Sequence, residues 1–189
     1  DEILQTPDAI RETAQFFENF KDINNYFKNI DKIYLVACGT AYHSCLFGKK
    51  YLDFLNVPIF AEIASEFKYS KPLITKNTLC IFVSQSGETA DTISCVKKCK
   101  CKTLAITNVP NSSITFACKK TILMKAGWER AVASTKAYSC QLLIFYLLKC
   151  LLKEEKPKTK TLVSDAKKYL KTLNIKALAL KALSYEKIM

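Results

Sequence analysis

Apolar residues in this 189-residue chain fall into short continuous runs, and between the runs they recur at helical spacing. A continuous apolar run of four to eight residues bounded by turn formers reads as a strand buried on both faces, whereas recurrence at i, i+3, i+4 reads as one face of a helix. Lys32–Ala37 (KIYLVA), Val57–Ile63, Leu79–Ser84 (LCIFVS), Lys102–Thr107 and Lys120–Lys125 are five predicted strands. The segments between them predict helices over Ala41–Leu55, Thr89–Lys98 and Ser112–Cys118, and a long apolar helix follows over Ser134–Leu152. A further helix precedes the first strand at Thr6–Phe20, with Thr6 as N-cap, Pro7 at the first helical position and Ile10, Phe17 and Phe20 on one side. Strict strand–helix alternation predicts an α/β fold, a three-layer doubly wound sandwich around a five-stranded parallel sheet in the flavodoxin-like order 2-1-3-4-5.

The ends of the chain break this rhythm. Lys153–Lys160 (KEEKPKTK) reads as a linker, and helices are predicted at Thr161–Leu173 and Ile175–Leu183. The last residues, Tyr185–Met189 (YEKIM), resemble Asp31–Tyr34 (DKIY), where the first strand opens. The expected organisation is a helical lead-in at 1–30, the α/β unit at 31–152, and at 153–189 a linker, helices and the start of a truncated second copy.

Charge and cysteine content alter this picture little. The formal net charge is +12, but the lysines are dispersed and no aromatic-basic signature of an RNA-binding sheet is present, so nucleic acid is not an expected partner. A lysine-rich surface does suit attraction of an anionic substrate. The longest apolar run, around Leu142–Leu148, is far short of the roughly 20 residues of a membrane span. The polar, acidic opening is no signal peptide, so a cytoplasmic location without membrane contact is expected. Nine cysteines, with one histidine and no C-x-x-C pair, read as reduced thiols with no metal site, and no cofactor is implied.

Candidate chemistry concentrates where ligands bind in such sheets, at the carboxyl ends of the strands. Of four glycines, Gly39, Gly87 and Gly127 each follow a predicted strand, while Gly48 lies inside a helix and marks close packing. The loop Ser84-Gln85-Ser86-Gly87-Glu88-Thr89 offers three hydroxyls at a helix N-terminus, whose unpaired amides and positive dipole favour an anion. No G-K-[ST] follows, so the chemistry is the binding of a phosphomonoester and not transfer of its phosphate. Simple helix capping by the same hydroxyls is the competing reading. The order 2-1-3-4-5 places Thr40 across one crevice from this loop, with Ser134 near the start of the last helix. His43, on a helix, reads as a packed or solvated residue.

ACGTAYHSC (Ala37–Cys45), EIASEF (Glu62–Phe67), FVSQSGETADT (Phe82–Thr92), Ser112-Ser113 and VASTKAY (Val132–Tyr138) occur in that order. Together they resemble the first sugar isomerase (SIS) subdomain of the glutamine:fructose-6-phosphate aminotransferases, over essentially the whole chain. The resemblance implies an enzyme that makes glucosamine 6-phosphate for the hexosamine pathway from fructose 6-phosphate and glutamine. It further implies phosphate binding by Ser84, Gln85, Ser86 and Thr89, and sugar contacts from Thr40, Val132 and Ser134. No catalytic residue is expected in this segment. The base and a lysine belong to a second SIS half and C-terminal tail, and ammonia comes from a glutaminase domain, so the chain alone is expected to be inactive; a homo-oligomer is also implied. Four positions depart from the family pattern: Ala41 stands where serine is usual, Arg130 and Ala131 where isoleucine and glycine are, and Trp128 replaces a smaller residue. Arg130 is a candidate to replace the donor lost at Ala41. A non-catalytic phosphosugar-sensing module and a single-domain SIS isomerase are the alternative functions.

Overall fold

The computed structural model describes residues 2–130, 133–174 and 177. Five parallel strands, β1 (Lys32–Ala37), β2 (Ile59–Ile63), β3 (Thr78–Ser84), β4 (Lys102–Thr107) and β5 (Lys120–Leu123), form one sheet in the order β2-β1-β3-β4-β5. The α/β class and the predicted order are both borne out. Between and around the strands lie α1 (Thr6–Phe17), α2 (Gly39–Leu52), α3 (Ala64–Phe67), α4 (Ala90–Lys98), α5 (Ser113–Ala117), α6 (Lys136–Leu152) and α7 (Thr159–Thr172).

Alternate residues of the same strands feed two separate cores, which is why the strands read as continuous apolar runs. Ile33, Leu35, Leu79, Ile81 and Leu104 point to one face, where they pack with residues of α1, α2 and α6. Tyr34, Val36, Cys80, Phe82 and Ala105 point to the other, beneath α3, α4 and α5. β3, at the centre, is buried at every position. On the first face α2 and α6 approach closely at Gly48: a Cβ there would stand 2.6 Å from the Phe145 ring, the tight contact expected of that glycine.

Several boundaries move for identifiable reasons. Thr6 is not a cap; it is helical, and α1 continues from a 3-10 turn at Ile3–Gln5. Beyond Phe17 the chain tightens into 3-10 geometry over Glu18–Phe27, kinked at Phe20, and buries Ile23 and Phe27. β2 starts only at Ile59, after a left-handed Asn56 and Pro58, whose carbonyl accepts the Ile33 amide at 2.9 Å. β5 ends at Leu123: the Met124 amide still reaches the Thr107 carbonyl (2.8 Å), but that of Lys125 turns to the Thr13 hydroxyl (3.0 Å). α3 was not predicted, since four residues are too few to show a period. The predicted tail helix at 175–183 (Ala177 apart) and the strand-like 185–189 lie outside the described residues. Among the described residues no helix is long and apolar enough to cross a membrane.

Candidate functional site

The register pairs Ala37 of β1 with Val83 of β3, and Ser84 of β3 with Thr107 of β4. The loops leaving these strands therefore emerge side by side at one end of the sheet. Ser84 closes β3 and is 2% exposed. Its hydroxyl accepts the Gly87 amide at 3.0 Å and lies 2.9 Å from the Thr89 hydroxyl, so the two ends of the loop are tied together. Gly87 makes the turn possible with φ of +71°, and a Cβ there would fall 2.0 Å from Ser112 Oγ. Only glycine satisfies both demands.

The loop is also bound to its neighbours through its carbonyls. Gln85 C=O accepts from the Asn108 amide (3.1 Å) and the Thr107 hydroxyl (3.3 Å), and Gly87 C=O from the Ile114 amide (3.0 Å). The Glu88 carboxylate accepts the Ser113 hydroxyl (2.6 Å) and amide (2.8 Å) at the start of α5, and these bonds hold its pKa below the usual carboxylate value. Each of these contacts uses an acceptor of the loop. Ser86 Oγ accepts the Glu88 amide at 3.2 Å, which leaves its own proton to donate.

Thr89 occupies the N-cap of α4 but makes no side-chain capping bond, because its hydroxyl is turned to Ser84. The competing reading, that these hydroxyls merely cap the helix, is thus not the arrangement found at Thr89. The first-turn amides of α4 lack a side-chain acceptor at the cap, while Asp91 in that turn is paired with Lys68 at 2.7 Å.

The start of α6 is built in the opposite way. The Glu129 carboxylate accepts the Thr135 amide (2.8 Å), the Thr135 hydroxyl (3.0 Å), the Ser134 hydroxyl (3.1 Å) and the Ala137 amide (3.2 Å). An internal anion therefore fills this helix N-terminus. The N-terminal segment braces the same loop: Gln5 Oε1 accepts from the 2%-exposed Lys136 ammonium at 2.6 Å, and Glu2 Oε1 accepts the Arg130 amide.

Between these loops lies a cavity of ≈ 440 Å³, lined by Gln85, Ser86, Asn108, Lys125, Trp128 and Glu129 among others. Of the predicted phosphate residues, Gln85 and Ser86 line it, while Ser84 and Thr89 order the loop behind them. Thr40 is exposed at the start of α2, beyond the neighbouring β1, and is not part of this lining. Ser134 is half-buried on Glu129, and Val132 lies outside the described residues. His43 is exposed. Arg130 is exposed with its guanidinium 5.7 Å from the centre of the Trp128 ring, itself 80% exposed. Sequence reasoning missed Asn108 and Glu129. Asn108 joins two loops by donating to Gly127 C=O (2.8 Å) and accepting the Ala126 amide (2.9 Å). Its place directly after a strand was the available signal; Glu129 had none, because it sits in the irregular connection before α6, where no period marks a cap lying six residues ahead of Thr135.

Comparison with known proteins bears out the resemblance carried by SQSGETADT and VASTKAY. The family model for the SIS domain matches residues 26–150. The isomerizing glutamine–fructose-6-phosphate aminotransferase of Clostridium acetobutylicum is 44% identical over 160 residues, which cover 78% of this chain and 26% of that protein. The Fusobacterium nucleatum aminotransferase of the same name is 42% identical over 188 residues, covering 92% of this chain and 30% of that protein. The chain thus spans under a third of the length of these relatives. Among solved structures, the C-terminal domain of glucosamine-fructose-6-phosphate aminotransferase from Francisella tularensis superposes with a TM-score of 0.73 at 32% identity, over 96% of this chain and 54% of that one.

Proposed function

Because the chain belongs to the SIS domain family, we propose that it forms the fructose 6-phosphate-binding half of an isomerase domain in a cytosolic glutamine:fructose-6-phosphate aminotransferase. The observation that carries this reading is the asymmetry of two helix N-termini at one end of the sheet. Glu129 fills that of α6, whereas α4 keeps its first turn without a side-chain cap beside the Ser86 hydroxyl. A phosphate placed at α4 receives amide donors, a favourable dipole and the Ser86 proton. In this reading Gln85 and Ser86 meet the phosphate directly, Ser84 and Thr89 hold the loop in shape, and Thr40, Val132 and Ser134 face the sugar. Proton transfer between sugar carbons requires a positioned base and amination a lysine-like group, which the family places in a second SIS half. A glutaminase domain would supply ammonia.

Replacing Ser86 with alanine removes one hydrogen bond to a charged group, a loss of about 1.5–3 kcal/mol, so fructose 6-phosphate affinity measured by calorimetry should fall about ten- to hundredfold. Unchanged affinity in a folded Ser86→Ala chain would refute the phosphate assignment.

A further inference from the structure

At the opposite end of the sheet, three cysteines that are scattered in sequence come together. Cys80 lies near the start of β3, Cys99 is the C-cap of α4, and Cys101 immediately precedes β4. Their sulphurs all lie within 4.8 Å of one another, and those of Cys80 and Cys101 are 3.5 Å apart. Sequence spacing alone offered no such set. The turn between α4 and β4 brings Cys99 and Cys101 over Cys80.

The triangle has the size of a metal–thiolate site. With metal–sulphur bonds of about 2.3 Å, tetrahedral coordination places sulphurs about 3.8 Å apart, so the observed spacings need adjust by no more than about an ångström. A disulfide would require two of the sulphurs to close to about 2.05 Å and would leave the third unused. Cys80 and Cys101 are buried, whereas Cys99 is half-exposed and borders a cavity of ≈ 390 Å³ that is also lined by Lys68, Lys76, Lys98 and Lys100. Lys119 favours the Cys101 thiolate, and the ammonium groups of Lys76, Lys98 and Lys100 near that opening help offset the net negative charge of a divalent ion with three thiolates. Contact with the Cys80 thiol, and then with that of Cys99, draws the Cys101 thiol down to about 4, against the effect of burial. The other two are pushed up, Cys99 to about 12 chiefly by its contact with Cys101.

We propose that Cys80, Cys99 and Cys101 bind one thiophilic divalent cation of the zinc class through three thiolates, with the fourth coordination position open to the lysine-lined cavity. Soft thiolate ligands select this class of ion, and three protein ligands leave one place for water or an exogenous donor. Each cysteine binds as the thiolate, and every thiol proton displaced passes to solvent as its metal–sulphur bond forms. The ion would fasten the C-terminal end of α4 to the sheet.

The test is titration of the reduced, chelator-stripped chain with Cd(II) alone, without oxygen, followed in the ultraviolet by the sulphur-to-cadmium charge-transfer band. The band should saturate at one ion per chain, and Cys99→Ser should weaken binding more than about a hundredfold, beyond what loss of an outer contact does. Cys38→Ser should leave binding unchanged. In the unaltered chain, Zn(II) should protect Cys99, the half-exposed member of the set, from alkylation, mapped by mass spectrometry, while Cys38 still reacts. Equal cadmium binding by Cys99→Ser, or alkylation of Cys99 undiminished by Zn(II), would overturn the proposal.

Discussion

At Gly87 two requirements coincide in a single residue. Its φ of +71° lies in the left-handed region, and the space a Cβ needs is occupied by Ser112 Oγ. The first requirement costs an L-residue about 1–2 kcal/mol, and the second adds an overpacking cost of about 1–3 kcal/mol unless Ser112 moves. Gly87→Ala should therefore lower unfolding free energy by about 2–5 kcal/mol in urea titration; a loss below about 1 kcal/mol would mean that the loop relaxes freely. That this glycine mattered was legible in the sequence, because glycine is scarce and this one follows a strand. The crowding was not legible: Ser112 comes from a different loop and is brought there by the β3–β4 register. The same applies to Ser84, which reads as a ligand from its hydroxyl but is used within the loop.

Helices α4 and α6 show the same contrast at the scale of elements. Glu129 supplies four acceptor contacts to the start of α6 and places a negative charge against its dipole. Glu129→Ala should destabilise the chain by about 1–2 kcal/mol, read as a lowered Tm, and should speed amide exchange at Thr135 and Ala137. Unchanged exchange at these two amides would show that the carboxylate does not cap the helix. β1 and β4 were read from sequence with their observed bounds because each opens on a lysine, carries an apolar stretch and is followed by turn residues. The start of α6 was set too early, at Ser134, since two hydroxyls before an apolar helix look like caps; here both donate to Glu129. The 3-10 stretch at Glu18–Phe27 and the short α3 escaped notice because neither sustains the 3.6-residue period on which helix recognition depends.

For the molecule as a whole, the formal charge of +12 bears on how, under the proposed function, a doubly charged phosphosugar would be met. Dispersed lysines act over a screening length of about 30 Å at 0.01 M salt but only about 10 Å at 0.1 M, whereas the hydrogen bonds of the loop act at contact. Fructose 6-phosphate affinity should therefore weaken several-fold across that range, mainly through slower association, while Ser86→Ala keeps a similar fold-effect at both ends. A salt-independent association rate would remove the surface from the account. The rule for parallel sheets pointed to this end of the sheet as the candidate site; its bracing by the N-terminal segment was not legible, since no local pattern reports a partner more than a hundred residues away. That bracing has a consequence for biosynthesis. The Thr13 hydroxyl meets Cys140 Sγ at 3.3 Å across 127 positions, and Gln5 meets Lys136 across 131. At a synthesis rate of about 5–20 residues per second, α1 leaves the ribosome roughly 7 to 26 seconds before the residues it must pack against. During that interval neither α6 nor the loop braced by the N-terminal segment yet exists, and the aromatic residues of α1 have Phe20 of the following 3-10 stretch to pack against. The brace of the loop before α6 therefore waits on α6 itself, although its other side is made more than a hundred residues earlier.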